Sequence, residues 1–228
     1  MSARDKGAIV NFDLPFALSV MPTILRGLWT TIWVAAVASL GSALLGFVME
    51  MLRRSNRWLG YVMRFVIDFI RSTPVLVQLY FLYFVLPQYG ITLPALVVGV
   101  LGLSIYYSGY LAEVFKGGIE AIPVGQFAAA KALGLSRLDA MLYVVAPQML
   151  RNIAAPMANY FVSALKATPY LAVISVPEML GLALEVGSDT FRYPEPMVSV
   201  GVIFLILAVA IAQAVRVLES RLLAPGRR

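Results

Sequence analysis

From Pro196 to Val215 the chain runs without a single charged side chain, and Gly27–Met49 does the same. Each run is long enough to be a helix across a bilayer, which takes about 20 apolar residues. Inside lipid the backbone finds no water, so such runs fold as helices that satisfy their own hydrogen bonds. Of 228 residues, 61% are hydrophobic and 13% charged, against about 25% charged in soluble domains. The chain therefore reads as one all-α, polytopic membrane unit over residues 1–228. It holds no cysteine and no histidine, which removes disulfides, thiolate nucleophiles, the commonest general base and the commonest metal ligand. Secreted, redox and most metalloenzyme classes fall with them, and no metal site is expected.

Charge is absent again from Ser72 to Ala112, a stretch too long for one helix. Pro87, Gly90 and Pro94 divide it into helices near Ser72–Leu86 and Pro94–Phe115. Trp58–Ile70 mixes Arg64 and Asp68 with apolar residues and is expected as an interfacial lead-in continuing into the second helix. Asn152–Pro177 is apolar apart from Lys166 and contains Pro156, Pro169 and Pro177. It is expected as a fourth span, interrupted near Lys166–Pro169, so that the chain makes about five crossings. In the first run Ala35, Ser39 and Ala43, and also Ala38, Ser42 and Gly46, recur at every fourth position. Such spacing lets a second helix approach closely, or reflects only the tolerance of membrane helices for small residues.

The net charge of +6 is clustered. Arg53, Arg54, Arg57 and Arg64, then Lys116, Lys131, Arg137 and Arg151, then Arg221, Arg227 and Arg228 fall on one side of such a topology. Arg4, Lys6, Arg26 and Arg192 fall on the other. The richer side is expected to be cytoplasmic, leaving Met1 external, the C-terminus internal and Glu178–Glu195 an acidic external loop. A nucleic-acid partner would want a basic face on a soluble scaffold, so none is expected. Met1–Asp13 lacks the apolar core and cleavage site of a signal peptide, so no removable segment is expected there.

The longest connection on the cytoplasmic side, about 116–151, has an order of its own. Pro123 suits a helix start, and Gln126–Leu133 is a run of helix formers closed by Gly134. Ser136 and Asp139 have capping-box spacing for a helix reaching Pro147. Two short helices meeting at a glycine make either an elbow for a soluble partner or a helix pair lying on the bilayer.

At these residues the sequence resembles a known family. Gly125-Gln126-Phe127-Ala128-Ala129-Ala130-Lys131-Ala132-Leu133-Gly134 and Val144-Val145-Ala146-Pro147-Gln148 are similar to the E-A-A-x-x-x-G and I-x-L-P elements of the loop in bacterial ABC-importer permeases. Arg71-Ser72-Thr73-Pro74, Val77-Gln78, Leu86-Pro87-Gln88, Tyr110-Leu111-Ala112-Glu113, Gly117-Gly118-Ile119, Ile122-Pro123 and Leu165-Lys166 are similar to the polar-amino-acid branch. These matches run in the family's order from about Gly27 to Leu218. The resemblance implies a type I importer of the bacterial inner membrane, with two permease subunits, two cytoplasmic ATPases and an external solute-binding protein. ATP and magnesium would sit on the ATPases, and this chain would carry no cofactor and no catalytic residue. Gly125, Gln126, Phe127, Ala128, Ala129, Ala130, Leu133, Gly134 and Pro147 would form the coupling elbow that docks an ATPase. Ala128 stands where the family has glutamate, so docking is less electrostatic or the partner permease supplies the charge, which favours a different second permease over an identical one. Pro169-Tyr170 also departs from a usually small, polar stretch.

Rival chemistry is poorly served. Gly125 to Ala132 approximates a phosphate-binding loop, but Ala130 replaces its second glycine and Ala132 its hydroxyl residue. An intramembrane protease would need histidine for a serine dyad or paired carboxylates within a span, and Asp68 and Asp139 are neither paired nor in one. For a translocation path, Gln78, Tyr106, Tyr107, Ser108, Asn159, Ser163 and Thr168 are polar or amphipathic at suitable depth. A zwitterion needs such partners in place of water, although interhelical hydrogen bonding would explain each equally. Lys166 joins this set as an intramembrane cation in a broken span, with a structural or gating role expected before direct reading of the substrate. Glu113 is expected to pair with Lys116, Arg71 to snorkel to the interface, and Tyr80, Phe81, Tyr83 and Phe84 to form an outer aromatic belt. The function expected is a permease subunit for a polar amino acid or related small zwitterion, with opines and compatible solutes such as ectoine left open. A passive channel or a scaffold subunit is the alternative that the helices alone allow.

Overall fold

A computed structural model describes residues 12–222, with side chains as far as Val217. Met1, Arg4, Lys6, Arg227 and Arg228 lie outside the described residues, as does the Arg221 side chain. The elements are α1 (Leu14–Ser55), α2 (Arg57–Ser72), α3 (Val75–Tyr80), α4 (Ala95–Glu120), α5 (Val124–Ala132), α6 (Arg137–Asp139), α7 (Ala146–Ala167), α8 (Met179–Thr190) and α9 (Pro194–Leu222). Three helices, α1, α4 and α9, are long and apolar enough to cross a membrane. The bent pairs Arg57–Ser72 with Val75–Tyr89 and Arg137–Ile174 with Met179–Thr190 bring the number to five when each pair is one span.

Helix α1 starts well before the expected Gly27. Asp13 caps it, accepting from the Phe16 N–H at 3.0 Å, and Pro22 lies inside without ending it. The lost hydrogen bond is offset by packing, since Ile24 is buried against Met179 and Ala183 of α8 and Val200 of α9, with Val20 and Leu28 alongside. Arg192 closes the same corner, 3.1 Å from Asp13 and 2.7 Å from Glu195, with its guanidinium 3.9 Å from the Phe16 ring centroid.

The small residues of α1 form a packing seam. Ala35, Ala38, Ser39 and Ser42 are buried. A Cβ on Gly46 would lie 2.9 Å from the Ser108 carbonyl of α4, and one on Gly41 would lie 2.5 Å from the Ser104 hydroxyl. Helix α4 is the centre of the bundle, with Val98, Leu103, Leu111 and Phe115 buried between α1 and α7.

Four features differ from the sequence expectation. First, α2 does not run on into the second span: the chain bends by 101° between them. Thr73 precedes Pro74 and is forced into extended geometry (φ −99°, ψ 132°), which ends α2. Second, the helix opened by Ser136 does not stop at Pro147. It passes through a π-helical turn, Ala140–Val145, in which the Ala146 N–H donates to the Met141 carbonyl, and continues as α7. Proline offers no N–H and crowds the preceding turn, and the wider turn relieves both. The same device, Phe81–Val85, precedes Pro87. Third, Pro156 lies within α7 without breaking it; the interruption near Lys166–Pro169 stands, at Thr168, where α7 tightens into a 3-10 turn over Thr168–Ile174. Fourth, Glu178–Glu195 is no acidic loop. Glu178 caps α8, accepting from the Gly181 N–H at 2.6 Å, and both Glu178 and Glu195 are buried. These carboxylates serve orphan helix N–H groups and Arg192 in place of water.

Candidate functional site

Helix α5 closes as its start and stop signals require. Gly134 takes φ 73°, and the Leu135 N–H reaches back to the Ala130 carbonyl at 3.1 Å while the Gly134 N–H reaches Lys131 at 3.0 Å. This is the doubly bonded helix end that a left-handed residue permits. Ser136 then accepts from the Asp139 N–H at 3.1 Å and donates its hydroxyl proton to the Asp139 carboxylate at 2.6 Å. The elbow is therefore ordered by its own bonds. Gly125, Gln126, Ala128 and Ala129 are exposed along α5, and Pro147 is exposed on the following helix. Val124 and Leu133 project farthest, 82% and 80% exposed, with Phe127 at 39%. Ala130 does not belong to the outer face: it is buried, turned toward the helix that follows the elbow.

A second feature runs along α7. Asn152, Pro156, Asn159, Ser163 and Lys166 are all exposed, at alternating four- and three-residue steps that place them on one face. Beside this stripe stands a group of tyrosines. The hydroxyls of Tyr106 and Tyr110 lie 3.2 Å apart, the Tyr110 and Tyr160 rings are 5.6 Å apart, and Tyr107 donates to the Ser163 carbonyl at 2.9 Å. Lys166 forms no ion pair among the described residues.

The structure thus places Asn159, Ser163 and Lys166 on one exposed face of α7 with Tyr106 in the tyrosine group beside it, while Tyr107 is buried and bonds to the back of the same helix at the Ser163 carbonyl. It assigns three other candidates elsewhere. Gln78 donates to the Ile70 and Thr73 carbonyls at 2.9 and 3.3 Å, satisfying the end of α2 at its sharp bend. Ser108 is fully buried against α1 and donates to Ile105, and Thr168 is fully buried and donates to Leu165. Each is a helix hydroxyl spent on its own turn.

Other groups were not legible as a set. At the Arg53 end of the bundle, Glu50 is buried between Arg53 and Arg54, Arg53 also reaches Glu113 of α4 at 2.5 Å, and Arg54 reaches Glu120 at 3.5 Å. The expected Lys116–Glu113 pair exists at 3.9 Å but is the outer member of this cluster. Only the spacing of Glu50 from Arg53 and Arg54 signals it. Arg71, expected to snorkel, lies with its guanidinium 5.4 Å from the Tyr110 ring centroid, and Tyr110 donates to the Arg71 carbonyl at 3.3 Å. Of the expected belt, Tyr80, Phe81 and Phe84 are exposed, while Tyr83 packs partly buried against the core.

Comparison with known proteins bears on this arrangement. A family described as "Binding-protein-dependent transport system inner membrane component" matches residues 42–224. "Probable amino-acid ABC transporter permease protein y4tG" of Sinorhizobium fredii is 41% identical over 213 residues, covering 93% of this chain and 92% of that one. "Glutamine transport system permease protein GlnP" of Escherichia coli is 29% identical, covering 93% of this chain and 99% of that one. The solved structure titled "Crystal structure of an amino acid ABC transporter with histidines" superposes with a TM-score of 0.85 at 31% identity, covering 92% of this chain and 99% of that one. An inward-facing MetNI methionine ABC transporter shares the fold at a TM-score of 0.77 and 16% identity.

Proposed function

The chain belongs to the family of binding-protein-dependent transport system inner membrane components, a permease of an ABC importer, and we propose that its cargo is a polar amino acid or a related small zwitterion. The observation that carries this is the exposed stripe Asn152–Pro156–Asn159–Ser163–Lys166 on a helix of membrane length. Ser163 donates to the Asn159 carbonyl at 2.9 Å, but lipid cannot satisfy the Asn152 and Asn159 amides or the Lys166 ammonium, so the stripe faces a water-lined path or a second permease. The tyrosines beside it add hydroxyl and ring-face partners for a zwitterion leaving water.

The positive-inside rule sets the Arg53 cluster, the elbow and the C-terminus in the cytoplasm and the N-terminus outside. The whole chain acts as a single permease domain, with 116–151 as its docking loop. Two partner ATPases carry the nucleotide and magnesium, and the exposed Val124, Phe127 and Leu133 of the elbow seat one of them. An external solute-binding protein delivers the cargo, and the second permease is a homologue that supplies the charge missing at Ala128. Proteoliposomes holding the assembled importer and its binding protein test the reading. They should accumulate a labelled amino acid only with ATP inside the compartment holding the ATPases, and flux independent of ATP would make the chain a passive channel.

A further inference from the structure

We propose that the hollow beneath the tyrosine group is a carboxylate-binding station for the transported solute, with Arg71 as the residue that holds the carboxylate; this rests on the importer reading above. The cavity measures about 350 Å³ and is lined by Arg71, Tyr110, Glu113, Asn152, Pro156 and Tyr160. That is the low end of about 300–1,000 Å³ for ligand pockets, a size that suits a small solute.

Its charges are arranged unequally. Arg53, Arg54 and Lys116 at this end of the bundle each have a carboxylate within 4 Å, whereas Arg71 has none among the described residues. Arg71 lies in the last turn of α2, where its carbonyl accepts from the Tyr110 hydroxyl, and its guanidinium lies over the Tyr110 ring at 5.4 Å. A planar fork over one ring face, with no ion pair of its own among the described residues, is suited to a carboxylate in bidentate contact. Glu113 sits on the opposite account. Its carboxylate faces Arg53 and Lys116, with Arg71 in electrostatic reach, so it offers the cavity an acceptor edge whose charge is already met. The Tyr110 and Tyr160 rings and the exposed Asn152 amide complete a lining for an ammonium group and a polar side chain. The ligand class is an α-amino acid, bound through its carboxylate.

The station belongs to the same face as Lys166. Asn152 and Pro156 are the stripe residues at the Arg53 end, and Lys166 stands about 21 Å along α7 from Asn152 at 1.5 Å per residue. The solute therefore meets one cation at each end of the stripe, with the Arg71 station nearer the Arg53 cluster.

The cysteine-free chain gives a direct test. Ala121 lines the cavity without taking part in the contacts above. In membrane vesicles holding the whole importer with Ala121→Cys, labelling by a charged thiol reagent is timed with L-glutamine, L-glutamate or L-arginine present, and with the α-carboxamide of each. At least one amino acid should slow labelling and its carboxamide should not. Arg71→Gln should raise the half-protecting concentration roughly tenfold or more, the equivalent of one lost charge-assisted hydrogen bond. Equal protection by the carboxamide, protection unchanged in Arg71→Gln, or no protection by any of the three would overturn the station. ATP-driven uptake by the same vesicles is judged separately. Its absence overturns the importer reading, whereas uptake without carboxylate-dependent protection overturns the station alone.

Discussion

Arg53 near the end of α1 and Glu113 on α4 meet guanidinium to carboxylate at 2.5 Å, and the same arginine holds Glu50 one turn back on its own helix. Glu50 is 1% exposed and is shared with Arg54 at 2.5 Å. One buried carboxylate is thus shared by two arginines at the end of the helix pair that organises the bundle, with Glu113 and Glu120 meeting their outer sides.

Removing it should be costly. Glu50→Ala leaves Arg53 and Arg54 without their buried partner, a loss of about 3–5 kcal/mol. Glu113→Gln, at a partly exposed site, should cost about 1 kcal/mol or less. Thermal unfolding of the purified protein in detergent measures both, and equal melting points for Glu50→Ala and wild type would contradict the assignment.

Gly134 isolates backbone strain from crowding. A Cβ there meets nothing within 4 Å, yet φ is 73°. Gly134→Val should therefore cost roughly 1–3 kcal/mol of local strain and re-aim the elbow while the spans insert normally. Asparagine tolerates left-handed geometry, so Gly134→Asn should keep transport. Uptake by the two variants at matched membrane levels decides; transport by the valine variant at the wild-type rate would show that the elbow does not need this geometry.

Phe127, 39% exposed on α5, has room to bury the rest of its ring against a partner. Phe127→Asp would bury an unpaired charge at that contact, costing several kcal/mol of docking. The expected result is normal insertion, loss of ATPase co-purification and loss of uptake. Retained co-purification would place the contact elsewhere on the elbow.

The corner at Asp13 should respond to acid in one direction only. Its hydrogen bond from the Phe16 N–H, with Arg192 as the second cause, holds the Asp13 carboxyl below its ordinary value of 3.8. A depressed folded-state value means the contribution is complete above the unfolded-state value and is lost as pH falls through the folded one. The difference in melting temperature between wild type and Asp13→Asn should therefore be constant at neutral and mildly acidic pH and shrink below about 3.8. A difference that already fades near neutrality would contradict it.

Much of this architecture was legible because lipid enforces a simple rule. Uncharged runs such as Pro196–Val215 must be helices, and Gly134 after Leu133 must end one. Boundaries were less legible because prolines act through their surroundings: Pro22 and Pro156 are absorbed by packed helices, Pro87 and Pro147 by π-helical turns, whereas Pro74 stands at a bend of 101°. The path residues divided for a related reason. A serine or glutamine in a span satisfies itself on the nearest carbonyl when it can, as Ser108 and Gln78 do, and one residue type does not reveal which face it occupies. The Glu50–Arg53–Glu113 cluster and the Arg71 hollow needed two or three helices to be placed before they existed at all.

The uninterrupted passage of the helix through Pro147 and Pro156 has a mechanical meaning. From Arg137 to Ala167 the chain stays helical past both prolines, so the limb that leaves the elbow and the helix that carries Lys166 are one continuous run. Its two ends are marked by the left-handed glycine at 134 and the tightened turn at Thr168. The π-helical turn sets how the two ends are clocked against each other. That turn holds one residue more than an α-helical turn, so deleting one residue there would restore an ordinary α turn and leave the elbow and the stripe facing nearly as they do now.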